Sequence, residues 1–374
     1  MYQLKDSRTS GSVLQKSRKI LWLRLHITNL CNFDCPDCHV SKISPNNLPF
    51  DNMPFEIAES SIEYYISLIK RYLPIDNWQT RVSVYGGEPL LNRPVLYRLL
   101  KKFGKVYRGV RLHWIVNTNG SLINEEDLKN FILAEVDIHL SLEGNKESHD
   151  KKRIDKFGRG TFHRIVKSID LCKKFGYPYL QIDSVADPFI PKITDEVFDI
   201  VKKYKIGRVH LDLFYSPAYP KEFPFEEYAL DYSEAYIKGK LNNVNVFASP
   251  FSQIYAKYFD DIVQKQTFFY FPSIEIFGDG SFIFPDLPLE KPFDNIINIE
   301  KNSIWDRRME LLSKDKQNND KECKNCFLYP FCIGKMRRIY EYHTATSSKE
   351  DNICKISRKS MKLLKEKNYS NSAY

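Results

Sequence analysis

Seven of the eight cysteines fall into two tight groups, one reading Cys31-Asn-Phe-Asp-Cys35-Pro-Asp-Cys38 and the other Cys323, Cys326, Cys332 and Cys354. Disulfide frameworks spread their cysteines along a chain, whereas metal sites gather them. Three thiolates within eight residues suit a 4Fe-4S cluster that keeps one iron open for a ligand. Zinc is the competing reading, because Cys35 and Cys38 form a knuckle and His39 could add a nitrogen. The four later thiolates make a closed site, which serves structural zinc or an iron–sulfur cluster equally well. Cys172 differs: with Ile165 and Ile169 it marks the apolar stripe of a predicted helix, which implies a buried, inert thiol.

The remaining chemistry-bearing residues cluster at the ends of predicted strands. Gly86-Gly87-Glu88-Pro89 offers a backbone that another group can approach closely and a carboxylate that can accept from an ammonium. Asn117-Thr118-Asn119-Gly120 and Ser141-Leu142-Glu143-Gly144 offer amide, hydroxyl and carboxylate groups suited to a ribose or an amino-acid head group. Arg153, at the end of His149-Asp150-Lys151-Lys152-Arg153, could clamp a carboxylate. Each motif also has an ordinary reading as a turn, a helix cap or a solvated charge run.

The elements that must position these groups alternate. Strand patterns at 21–27, 81–85, 111–117, 136–142, 180–185 and 208–213 are separated by helical patterns such as 57–72, 95–103 and 162–175. Alternation of this kind predicts right-handed βαβ units, a parallel sheet and chemistry at its C-terminal edge. Six units are too few for a closed eight-stranded barrel, so the reading is an α/β fold, a partial (β/α)6 parallel barrel with a wide mouth. The chain divides into a basic extension (1–19), the barrel (20–215), a linking helical segment (216–267), a small Cys-rich domain opening with a hairpin at Ser273–Phe277 and Ser281–Phe284 (268–354), and a basic tail (355–374).

In a chain of 374 residues with 43% hydrophobic content there is room for two or three domains. The formal charge of +9 sits at the two ends, each holding six basic side chains against one acidic one, and the middle is near neutral. Charge confined to the ends speaks against a nucleic-acid-binding face. Neither a membrane span nor a secretion signal is present, which implies a soluble cytoplasmic protein.

Taken together, the cysteine triad after the first strand, Gly86-Gly87-Glu88-Pro89 after the second and Ser141-Leu142-Glu143-Gly144 with Arg153 resemble the radical S-adenosylmethionine (radical SAM) enzymes. The later cysteines resemble the SPASM (twitch-like) domain of anaerobic sulfatase maturases and ribosomal-peptide maturases. The resemblance implies a radical 4Fe-4S cluster on Cys31, Cys35 and Cys38, with S-adenosylmethionine held by Gly86, Gly87, Glu88, Asn117, Ser141, Glu143 and Arg153. It implies one auxiliary cluster on Cys323, Cys326, Cys332 and Cys354, zinc being the other possibility, and an electron donor such as flavodoxin or ferredoxin. Three features depart from the family pattern: Asp37 stands where an aromatic residue is usual, Glu143 replaces an Asp, and the ligands of the first SPASM cluster are missing, with Met336 and the Asp286 hairpin where cysteines are expected.

The activity this implies is hydrogen abstraction from a peptide or protein by a 5′-deoxyadenosyl radical, leading to a crosslink, thioether, epimer or oxidised residue. A radical dehydrogenase or epimerase of a sugar or cyclitol and a zinc-stabilised, non-catalytic binding protein are the alternatives. Asp183, Asp212 and Tyr215, with Asp187 and Asp286 behind them, are candidates for acid–base work, and an apolar wall beside Asp183 or Asp212 should raise its pKa.

Overall fold

The computed structural model describes residues 19–38, 40, 50–72, 78–187, 189–212, 224–248, 273–283, 295–296, 358–360 and 362–363. Cys323, Cys326, Cys332, Cys354, Tyr215, Asp286, Met336 and His39 lie outside the described residues.

Strand β1 (Lys19–Thr28) sets the pattern of the sheet. Leu21, Leu23, Leu25 and Ile27 are buried on one face, while Trp22, Arg24 and His26 alternate onto the other. Helix α1 (Phe55–Tyr72) covers the apolar face; the Tyr65 hydroxyl donates to the Leu21 carbonyl and accepts from the Arg81 amide at 3.1 Å, which fastens the helix over β1 and β2 (Trp78–Gly86). After α2 (Arg93–Phe103) comes a two-residue hairpin of β3 (Val106–Tyr107) and β4 (Val110–Arg111). The chain then alternates through β5 (His113–Thr118), α3 (Glu125–Leu133), β6 (Asp137–Ser141), α4 (Lys146–Lys152), α5 (Phe162–Phe175), β7 (Leu180–Val185), α6 (Ile193–Lys203) and β8 (Arg208–Asp212).

All six anticipated strands and the three named helices are present. Helix ends carry their expected chemistry: Asn124 and Asp127 form a reciprocal capping box on α3, and Gly176, at φ 72°, closes α5 in the left-handed conformation. Cys172 is fully buried on α5 beside Ile165 and Ile169, as the helical stripe implies.

The sheet extends further than the sequence reading placed it. The segment read as a helical linker contains α7 (Phe225–Leu241) but also β9 (Asn245–Ala248), which pairs parallel with β8. Only four residues long, β9 gives too short a period-2 signal to be read beside a longer helix. At the other edge, β10 (Ser273–Ile276) pairs parallel with β1, and β11 (Phe282–Ile283) returns antiparallel to it. The hairpin assigned to a separate domain therefore begins on the edge of the barrel sheet, whose order is β11-β10-β1-β2-β5-β6-β7-β8-β9. Hydrophobic alternation identifies a strand but not the neighbour it pairs with.

Side-chain bonds that skip a strand show how strongly the sheet curves. Asn117 on β5 reaches Asp183 on β7 at 3.4 Å, and Arg208 on β8 donates to Asp137 on β6 at 2.9 Å. The fold is a parallel α/β partial barrel with helices outside and a polar concave face inside. No helix among the described residues is long and apolar enough to cross a membrane.

Candidate active site

The cysteine loop leaves β1 at the C-terminal edge and is stitched to three neighbouring segments. Backbone carries the first seam: the Gly87 amide donates to the Thr28 carbonyl and the Glu88 amide to that of Leu30, both at 2.8 Å. A Cβ on Gly86 would stand 2.1 Å from the Thr28 oxygen, and one on Gly87 would stand 2.3 Å from that of Leu30. The two glycines thus admit the backbone of the cysteine loop itself. The second seam is Asn32, whose side chain bonds Ser121 and Asn119 at 2.8 and 2.9 Å. The third is the segment after α4, where the Asp34 amide donates to the Ile154 carbonyl at 2.9 Å and Phe33 bridges to Asp155.

Cys31, Cys35 and Cys38 are reduced and half-buried. Burial pushes the Cys31 thiol up to about 11 and raises that of Cys35, with the Arg153 guanidinium pulling the latter back. Thiols in such surroundings become thiolates when a cation binds them. Among the described residues, no three His, Cys, Asp or Glu side chains gather around one point as a single metal ion would require. Three unbridged thiols on one loop, with a guanidinium beside them, have the donor chemistry to hold three irons of a 4Fe-4S cluster.

Glu88 is fully buried and committed within the chain. Its Oε1 accepts from the Leu90 amide at 3.0 Å and the Thr118 hydroxyl at 2.7 Å, and its Oε2 accepts from the Asn119 amide at 2.8 Å. Burial raises its pKa to about 7. This carboxylate ties the glycine turn to the end of β5, an arrangement that the reading of it as an ammonium acceptor did not contain.

Glu143 is similarly filled. Arg153 donates to its Oε1 from Nε at 3.0 Å and from Nη2 at 2.6 Å, while Ser184 Oγ and the Val185 amide occupy Oε2 at 3.1 and 2.8 Å. Arg153 has five N–H groups and spends two here, leaving others for a ligand next to Cys35 and Cys38. His149, missed as a positioning group, holds this corner: its Nδ1 accepts from the Glu143 amide at 3.2 Å and its Nε2 meets Thr161 Oγ1 at 3.1 Å. Burial lowers its pKa to about 3, so the imidazole is neutral. Asp37, the departure from the aromatic pattern, pairs with Lys152 at 2.8 Å, and Lys152 also holds Asp187 at 2.8 Å. An ion pair thus anchors the cysteine loop at that position.

Below the edge, the concave wall carries a charged cluster. Ser141 ends β6 opposite Asp183, and Asn117 accepts from Ser83 at 2.6 Å while donating to Asp183. Asp183 Oδ2 lies 3.0 Å from His139 Nδ1 and 3.5 Å from His210 Nδ1, and its Oδ1 accepts from Gln181 at 2.8 Å. The apolar wall that would raise the Asp183 pKa is not what surrounds it: burial pushes up, but the two imidazoles outweigh it and hold the carboxyl well below the usual range. His210 is the group that carries a proton; burial opposes its charge, but Asp212, at 3.5 Å from Nε2, and Asp183 raise its pKa to about 9. The only sequence signal for His139 and His210 was their place on the inward phase of β6 and β8.

The fold is a parallel α/β partial barrel that carries a thiol triad at its C-terminal edge. Residues 25–204 match the family model described as the Radical SAM superfamily, so the chain carries a radical SAM domain. Over its length it is related to the anaerobic sulfatase-maturating enzymes: it is 25% identical to the cysteine-type enzyme of Clostridium novyi (strain NT), over 92% of this chain and 94% of that one. The solved structure of native anSMEcpe with bound AdoMet and Cp18Cys peptide superposes with a TM-score of 0.71 at 18% identity, covering 93% of this chain and 97% of that one. Streptococcus suis SuiB bound to its precursor peptide SuiA superposes with a TM-score of 0.60 at 16% identity, covering 87% and 72%.

Proposed function

We propose that this protein is a radical SAM peptide maturase. The carrying observation is the half-buried thiol triad with a guanidinium beside it that has N–H groups to spare after pairing with Glu143. When bound, a 4Fe-4S cluster on Cys31, Cys35 and Cys38 supplies the electron that cleaves S-adenosylmethionine to methionine and a 5′-deoxyadenosyl radical, which takes a hydrogen atom from the substrate.

The chain's own residues orient the cosubstrate. Arg153 binds the methionine carboxylate with the donors that Glu143 leaves free. The backbone of Gly86 and Gly87 lies against the cysteine loop and receives the amino group, while the buried Glu88 carboxylate fixes that turn rather than contacting it. Ser141 and Asn117, half-exposed on the concave wall, face the ribose. The full set of donors on Glu143 makes it the residue that aims Arg153.

A peptide substrate is supported by relatives whose names describe sulfatase maturation and by the two peptide-bound neighbours. We place the auxiliary 4Fe-4S cluster on Cys323, Cys326, Cys332 and Cys354, the source of electrons in a flavodoxin or ferredoxin, and the protein in the reducing cytoplasm. The test is incubation of the anaerobically reconstituted enzyme with S-adenosylmethionine, reductant and either a sulfatase-derived peptide or an acidic peptide encoded nearby. A mass change in the peptide together with 5′-deoxyadenosine is expected. Formation of 5′-deoxyadenosine that only a sugar or cyclitol stimulates would turn the assignment to the small-molecule reading.

A further inference from the structure

Arginines on or beside the concave face come with carboxylates. Arg24 faces Glu275 at 3.6 Å, Arg208 donates to Asp137 at 2.9 Å, and Arg153 holds Glu143 at 2.6 Å. Arg81 breaks the pattern. It lies on β2 in register with Trp22 and His113, half-buried, with its guanidinium carbon 5.5 Å from the centre of the Trp22 ring. Among the described residues no carboxylate lies within ion-pair distance of it. Desolvation lowers its pKa, and Asp137, which lies beyond ion-pair distance and is held by Arg208, offsets that only in part. An unpaired charge in such a place is costly, and chains keep one where something binds.

One neighbour shares the deficit. The Trp22 indole N–H is buried and, among the described residues, has no acceptor. A guanidinium and an indole N–H side by side on one wall, with the nearby Asp137 already engaged by Arg208, describe the complement of an anion.

We propose that Arg81, with the Trp22 indole N–H, forms a carboxylate-binding site on the barrel wall that selects the substrate. This rests on the reading of the barrel as the catalytic chamber. Arg81 lies five residues before Gly86, roughly 16 Å along the strand from the cysteine edge. A substrate held by its carboxylate there reaches the edge only if it is several residues long in extended form, since each residue spans about 3.3–3.6 Å. The ligand is therefore a peptide entering with an acidic group first, either its C-terminal carboxylate or an Asp or Glu side chain. Arginine suits this task because its planar fork can meet both carboxylate oxygens.

Calorimetry on the reconstituted enzyme with S-adenosylmethionine bound tests it with three blocked alanine-rich pentapeptides. One ends in glutamine amide, one in glutamine with a free carboxylate, and one in glutamate amide. At least one of the acidic peptides should bind ten times or more tightly than the neutral one, and the one that does identifies the source of the carboxylate. Arg81→Gln should erase the difference, and Arg81→Lys should restore only part of it. Thermal melts of both variants separate loss of fold from loss of site. Equal binding of all three peptides, or a preference that survives in folded Arg81→Gln, overturns the proposal. Production of 5′-deoxyadenosine by the wild-type enzyme without any peptide is measured alongside, so that its absence counts against radical chemistry and not against the carboxylate site.

Discussion

At the scale of single residues, the site rests on side chains whose hydrogen bonds are nearly all internal. Arg153 serves both Glu143 and, in the proposed function, the cosubstrate. Arg153→Ala should lower 5′-deoxyadenosine formation by about 100-fold or more and also destabilise the fold by roughly 3–5 kcal/mol, because it strands a buried carboxylate. Arg153→Lys should recover part of the melting temperature but little of the activity, a split that chromatographic product assays and thermal melts read directly. Glu88→Gln should cost about 1–3 kcal/mol, since an amide placed among three donors must turn one N–H toward another. Denaturant titration measures it. The cysteines and glycines were legible in the sequence because their spacing is their signal. The partners of Glu88 and Glu143 were not, because a carboxylate filled by its own chain and one open to a ligand look the same in one dimension.

At the scale of elements, the barrel edge depends on loops that meet through backbone. Gly87→Ala would drive a methyl group into the Leu30 carbonyl two bonds' reach from Cys31, so iron bound by the triad should fall while the apolar sheet still folds. Iron analysis with circular dichroism of the same sample checks both halves. The charged wall joins strands in the same way: Asp183 takes bonds from β5, β6 and β7 and faces His210 on β8. The His210 pKa, raised above its unfolded value near 6.5 to about 9, makes a contribution that is full below about pH 6.5 and is lost as pH rises through 9. Denaturant stability should therefore decline between these values, by no more than about 3 kcal/mol. In Asp183→Asn that decline should shrink and move to lower pH. A wild-type profile flat from pH 6.5 to 9.5 would contradict the charge assignment. Strand identity was readable from alternation, but the meeting of His139, Asp183 and His210 needed the sheet's curvature, and the pairing of β10 with β1 joins residues some 250 positions apart in the chain.

At the scale of the whole molecule, a parallel barrel supplies the edge, and in the proposed function the cysteine loop turns that edge into a radical site. The same scaffold carries many chemistries, so the class follows from the site and not from the sheet. The polar concave face distinguishes this chain's interior, and no reading of composition could have located it, because the charges that line it are spread over six strands. The central claim is that Cys31, Cys35 and Cys38 hold a cluster that cleaves S-adenosylmethionine. The most direct measurement is iron, sulfide and zinc content after anaerobic reconstitution, paired with 5′-deoxyadenosine production, in the wild type and in a variant with all three cysteines replaced by alanine. The wild type should hold about eight irons and form product, and the variant should hold about four and form none. Zinc in place of iron at the triad, or product that persists in the triple variant, would contradict the account.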